Sequence, residues 1–97
     1  MIRHTVAFRL RHPAGSTEEL SFLDATLALA EIPGVTAFER LRQVGSKTTF
    51  TFGLSMEFAD QRAYDSYNVH PVHVAFVADR WRPEVEDFIE TDYVALA

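Results

Sequence analysis

Between Thr48 and Phe58 every second residue is large and apolar. Phe50, Phe52, Leu54, Met56 and Phe58 alternate with Thr49, Thr51, Gly53, Ser55 and Glu57. Successive side chains of a strand leave opposite faces, so this period-two pattern describes a strand with one face on a core. A face of three phenylalanines, a leucine and a methionine needs a second apolar layer on top of it. The chain is thereby committed to a sheet covered on one side.

The remaining segments supply that layer. Ile2–Leu10 alternates in the same way, with Ile2, His4, Val6, Phe8 and Leu10 on one face and Arg3, Thr5, Ala7 and Arg9 on the other. Pro13 and Gly15 mark a turn. Ser16, with Glu19 three residues on, forms a capping box that opens a helix running to about Glu31. Its apolar residues are Leu20, Leu23, Leu27 and Ala30, with Phe22, Ala25 and Leu29 alongside; Pro33 stops it. A second strand is predicted over about Val35–Val44, although Phe38 and Leu41 fall on opposite faces. Gly45-Ser46-Lys47 reads as a hairpin turn into the strand Thr48–Phe58. Asp60 caps a second helix reaching about Asn68. Pro71 restarts a helical stretch, Val72–Arg80, at a position where proline loses no hydrogen bond. Pro83 then leads to a last strand, Phe88–Leu96.

The order β-α-β-β-α-β specifies an α+β, ferredoxin-like sandwich: an antiparallel four-stranded sheet with both helices on one face. Phe8, Phe50, Phe52, Phe58, Leu23, Leu27 and Phe76 are the expected core. The other sheet face, with Thr5, Ala7, Thr51, Gly53, Ile89 and Tyr93, is left bare. Packing against a second copy would cover it, giving a homodimer.

At 97 residues the chain is one domain, 1–97. Its net charge of −5 gives no electrostatic pull toward nucleic acid or an anionic membrane. It contains no cysteine, which excludes disulfides, thiolate metal sites and cysteine nucleophiles. No apolar run suits a secretory signal or a membrane span of about 20 residues, so a cytoplasmic location is expected.

The chemistry is concentrated in Tyr67-Asn68-Val69-His70-Pro71-Val72-His73-Val74-Ala75-Phe76, which holds two of the four histidines. A third, His4, lies on the apolar face of the first strand and needs a partner when buried. His73 precedes Phe76 and Val77 by three and four residues, so it turns toward the sheet. Asp92 shares the parity of Phe88 and can reach inward. An imidazole in an apolar pocket, oriented by a carboxylate and near a phenol, can move protons near neutral pH. Each residue also has a structural role open to it: His4 as a satisfied core histidine, His70 as a helix cap, Tyr67 as packing, Asp92 as a surface acid. His70 and His73 have a metal-like spacing, but Pro71 between them makes the rings diverge, and a third ligand would have to be His4 or Asp92. No metal and no cofactor are expected; phosphate-loop, nucleophile-elbow and dinucleotide motifs are absent.

On Met1–Phe8, Ile32–Val35, Glu57-Phe58, Tyr67-x-x-His70-Pro71-x-His73-x-x-Phe76 and Asp92-Tyr93, the chain resembles the stress-responsive A/B-barrel (Dabb) family over nearly its full length. The resemblance implies a dimeric α+β barrel joined sheet to sheet. It also implies kinship with plant polyketide cyclases, which close poly-β-keto chains by aldol condensation without cofactor or metal. On that resemblance Tyr67 and His73 would be catalytic and Asp92 would orient His73. His4, Phe8, Phe50, Phe52, His70 and Phe76 would hold a small apolar carbonyl compound. The third-strand histidine of the cyclases is replaced here by Phe52, and the loop before that strand is short. The same fold would also suit a non-catalytic stress-response or ligand-binding barrel, or a cofactor-free monooxygenase.

Overall fold

The structure, a computed structural model, describes residues 1–97. Four strands, β1 (Ile2–Leu10), β2 (Thr36–Arg42), β3 (Phe52–Phe58) and β4 (Val85–Tyr93), form one sheet in the order β2-β3-β1-β4. Every neighbouring pair is antiparallel. The helices α1 (Thr17–Ala25), α2 (Gln61–Val69) and α3 (Pro71–Phe76) complete the ferredoxin-like α+β fold. No helix is long and apolar enough to cross a membrane.

β1 lies at the centre and fixes the registers. His4 stands opposite Met56 on β3 and Asp92 on β4, Val6 opposite Leu54 and Glu90, and Phe8 opposite Phe52 and Phe88. One face of this strand faces the core, and Val6, Phe8 and Leu10 are all buried there. Phe8 meets Phe22, Phe52 and Trp81 at centroid distances of 5.8, 5.8 and 5.0 Å. Tilted aromatic packing of this kind adds to the stability gained from burial.

Ser16 caps α1 as expected, accepting from the Glu19 amide at 3.2 Å. The Glu19 carboxylate completes the cap one residue earlier, on the Gly15 amide at 3.1 Å. The helix does not stay α-helical to Glu31. It tightens to a 3₁₀ stretch over Thr26–Glu31, where the Thr26 hydroxyl donates to the Leu23 carbonyl at 2.6 Å. A hydroxyl bonded back onto the preceding turn competes with the regular ladder. The face turned to the sheet is Phe22, Thr26 and Leu29, all buried. Leu23 is only half-buried and Leu27 is 45% exposed, so Leu27 is not core.

β2 is the irregular edge. Ala37 sits at φ 51°, and the register with β3 slips between Thr36 and Glu39. That bulge lets Phe38 pack on the core while Leu41 faces away. The expected hairpin at Gly45–Lys47 is a longer connection, because the ladder ends at Arg42 opposite Phe52. The Gln43 side chain takes over there. Its amide donates to the Phe50 carbonyl at 2.8 Å and the Thr48 hydroxyl at 3.2 Å, and its oxygen accepts from the Gly45 amide. β3 therefore begins at Phe52, four residues later than the alternation suggests. Phe50 lies outside the strand, half-buried, with the Arg9 guanidinium 5.9 Å from its ring centroid.

Asp60 caps α2 through the Ala63 amide at 2.9 Å. After Phe76 the helix widens into a π-helical turn, Val77–Trp81, followed by one turn at Arg82–Glu84. This brings Trp81 onto Phe8, and β4 starts at Val85, three residues before the expected Phe88.

Candidate active site

Under the sheet, between β1, β3 and β4 on one side and α2 and α3 on the other, lies a cavity of about 550 Å³. Its walls are Val6, Leu54, Met56, Phe76, Val77, Trp81, Val85 and Phe88. The polar side chains on it are His4, Tyr64, Tyr67, Asn68, His73, Arg82 and Glu90. The volume falls within the range of roughly 300–1,000 Å³ of small-molecule pockets.

The antiparallel register places Asp92 directly beside His4. The Asp92 Oδ1 lies 2.6 Å from His4 Nδ1. A carboxylate only accepts, so Nδ1 carries the proton. The Tyr64 hydroxyl donates to Asp92 Oδ2 at 3.0 Å, and its oxygen also lies 3.1 Å from His4 Nδ1. His4 Nε2 has no protein partner. No unpartnered polar side-chain atom of a non-exposed residue is sealed from solvent, so this nitrogen opens onto the cavity that His4 lines.

His73 is held differently. Its Nδ1 donates to the Asn68 carbonyl at 3.1 Å, which leaves a lone pair on Nε2 in the neutral ring. Its ring packs on Tyr67, with centroids 4.4 Å apart. Burial pushes the His73 pKa below the ordinary imidazole value. The Asn68 bond opposes this, and nearby His4 adds to it. Tyr67 is 2% exposed, yet its hydroxyl has no protein partner and must likewise reach the cavity. Burial pushes the Tyr67 and Tyr64 phenols well above their ordinary pKa; Tyr64 acts further on Tyr67, and Asp92 further on Tyr64. Both therefore keep their protons and remain donors at neutral pH.

The structure thus brings His4, Tyr67, His73 and Phe76 to one cavity. It corrects four of the expected binding residues. Phe8 and Phe52 are fully packed in the core and do not line the cavity. Phe50 lies on the β2–β3 connection, away from it. His70 caps α3, its Nδ1 accepting from the Val72 amide at 3.1 Å, and points elsewhere. The expected Asp92–His73 contact is also corrected, because cross-strand pairing gives Asp92 to His4 and a backbone carbonyl serves His73. Tyr64, Trp81, Arg82 and Glu90 also line the cavity, and no motif in the sequence singles them out. Tyr64 is legible as the residue one turn before Tyr67, and Glu90 by sharing the parity of Phe88 and Asp92. His12, in the turn after β1, pairs with Glu84 at 2.8 Å. No three metal-ligating side chains converge in the chain.

Comparison with known proteins agrees with the fold. A Dabb family protein with a ferredoxin-like fold from Mesorhizobium loti is 61% identical, with a TM-score of 0.96, over 99% of this chain and 97% of that one. A dimeric protein of unknown function and ferredoxin-like fold from Bacteroides fragilis is 25% identical, with a TM-score of 0.70, over 95% and 93% of the two chains. The hydroxynitrile lyase from Passiflora edulis is 17% identical, with a TM-score of 0.85, over 98% and 93%, a likeness of fold. No curated protein sequence matches significantly. The model of the Stress responsive A/B Barrel Domain, Dabb, matches residues 2–95, and the chain belongs to that family.

Proposed function

We propose that the chain is a cofactor-independent lyase or cyclase that moves protons on a small apolar carbonyl compound in the cavity under the sheet. The observation that carries this reading is the pairing of a neutral imidazole with a protonated phenol at one apolar wall, His73 against Tyr67 at 4.4 Å. A carbon acid bound in the cavity against both rings loses a proton to His73 Nε2. The neighbouring carbonyl oxygen, where charge gathers, takes a hydrogen bond from the Tyr67 hydroxyl. The Asn68 carbonyl holds the ring through Nδ1 while Nε2 gains the proton. The Passiflora edulis enzyme, a lyase on the same fold, supports the reaction class at the level of fold alone. The reading extends to a homodimer, which the dimeric ferredoxin-like protein from Bacteroides fragilis supports, joined through the bare sheet face, and to a cytoplasmic setting.

Deuterium exchange at the α-carbon of phenylacetone, followed by NMR in D₂O, tests the proton transfer without assuming the natural substrate. The parent protein accelerates exchange, and His73→Ala lowers that rate by about 10²–10⁴-fold while the fold is retained. Exchange no faster than in buffer refutes the catalytic reading. If His73→Ala then removes only about 1–3 kcal/mol of stability, a non-catalytic ligand-binding barrel takes its place.

A further inference from the structure

Arg82 is the only arginine or lysine on the cavity wall, and no acid in the chain answers it. Arg3, Arg9, Arg40 and Arg80 all reach carboxylates, whereas Arg82 forms no ion pair and no side-chain hydrogen bond. Acceptors are not scarce, with 14 acidic residues against 9 basic ones. Glu84, two residues on, is already taken by Arg80 at 2.5 Å and His12 at 2.8 Å.

The helix departs from regularity where it presents this residue. In an unbroken α-helix Arg82 would stand about 140° round from Val77. Instead the Arg82 amide donates to the Val77 carbonyl, a bond spanning five residues that widens the turn. Pro83 favours the widening, because it has no amide for the Asp79 carbonyl and its ring crowds that group. Trp81 and Arg82 thereby join Phe76 and Val77 on the cavity, while Arg80 turns away to Ser21 and Glu84. Wide turns inside helices are frequent at functional sites. A smaller hollow of about 250 Å³ adjoins the cavity and shares Asn68, His73, Val77 and Arg82 with it. Arg82 stands where the two meet, open to solvent, with the apolar wall behind it. Glu90, on β4, lines the same cavity without pairing to Arg82. Its charge repels an anion from the sheet side and leaves the helix side, with Arg82, as the place for one.

We propose that the ligand of this cavity is a monocarboxylate with an apolar body, its carboxylate on the Arg82 guanidinium and its body against Phe76, Val77 and Trp81. This rests on the reading above in taking the same cavity as the site, and it names the class of compound bound there. A guanidinium offers two parallel N–H donors that match the two oxygens of a carboxylate. A phosphate dianion would call for further cations, and the wall holds no other arginine or lysine.

Trp81 is the sole tryptophan and lines the cavity, so its fluorescence reports occupancy. The probes are 3-phenylpropanoate and its neutral amide, 3-phenylpropanamide, titrated into the full chain at neutral pH, with phenyl phosphate beside them. The parent is expected to bind the acid about tenfold more tightly than the amide. Arg82→Gln, which keeps donors without the charge, should bind the two alike, and Arg82→Lys should keep part of the preference. Arg62→Gln, an exposed arginine of α2 outside the cavity, should keep all of it. Thermal melting checks the fold of each variant, and Arg82 has no partner whose loss would lower it. Equal binding of acid and amide by the parent, or binding of neither, overturns the proposal. So does a preference that survives in Arg82→Gln, or tighter binding of phenyl phosphate than of the acid. Binding is read without turnover, so the two readings fail separately. A parent that prefers the acid but does not exchange phenylacetone keeps the ligand class and loses the proton transfer. A parent that exchanges phenylacetone without preferring the acid does the reverse.

Discussion

His73 is the residue whose protonation the fold resists. Burial lowers its pKa, so the unfolded chain binds that proton more readily than the native one. Where the unfolded state holds more protons, stability rises with pH. The contribution of His73 is therefore complete above its ordinary value of 6.5 and is lost as pH falls below it. Glu84 acts in the same sense at lower pH: burial pushes its carboxyl up, but Arg80 and His12 together outweigh that, and its stabilising share is lost below 4.5. The melting temperature of the parent should thus decline between about pH 7.5 and pH 5.5. In His73→Gln, which keeps a donor for the Asn68 carbonyl, the decline should be shallower. Parallel curves for the two proteins would remove His73 as the cause. His73 is legible from its spacing to Phe76 and Val77, and Tyr67 from the Tyr-x-x-His-Pro-x-His pattern that carries the family resemblance. The partner of Asp92 is not, since it depends on a register between strands 88 residues apart.

Whole elements are legible in the sequence where one pattern dominates, and obscure where a side chain takes the place of backbone pairing. β1 has the expected bounds, Ile2–Leu10, because alternation holds along its length. α1 and α2 start at their capping residues, Ser16 and Asp60. β3 starts four residues later than expected, with the Gln43 side-chain amide on Thr48 and Phe50 in place of a continued ladder, which no periodicity reveals. In α1 the leucine spacing pointed to the wrong face, and the phenylalanine took the core. The poor alternation in β2 was a real signal: it marks the bulge at Ala37. A residue with a Cβ at φ 51° is held in the left-handed region at a cost of about 1–2 kcal/mol, which glycine does not incur. Ala37→Gly should therefore raise stability by about 0.5–1 kcal/mol in urea unfolding, despite the greater freedom of glycine in the unfolded chain. A destabilised variant would mean that the Ala37 methyl makes a contact worth more than the backbone strain.

For the molecule as a whole, the helices cover one side of the sheet and nothing in the chain covers the other. Across that bare side run Leu41, Gly53, Ala7 and Ile89, in register on four adjacent strands. The two central residues are small and the outer two are large and apolar, with Leu41 47% and Ile89 55% exposed; Tyr93 nearby is 54% exposed. A shallow trough of this shape lets a second sheet approach to about 10 Å, with the large residues of each copy filling the hollow of the other. β1 carries Thr5 and Ala7 on this face and His4 on the cavity face, so pairing would also stiffen the strand that holds the His4–Asp92 contact. Ile89→Asp puts a charge where apolar surface should meet apolar surface. Sedimentation should show the parent at twice 11.0 kDa and the variant at 11.0 kDa, with unchanged far-ultraviolet dichroism and a lower melting temperature. A parent that sediments at 11.0 kDa, or a variant that keeps the mass of its dimer, would show that this face is not where two copies meet.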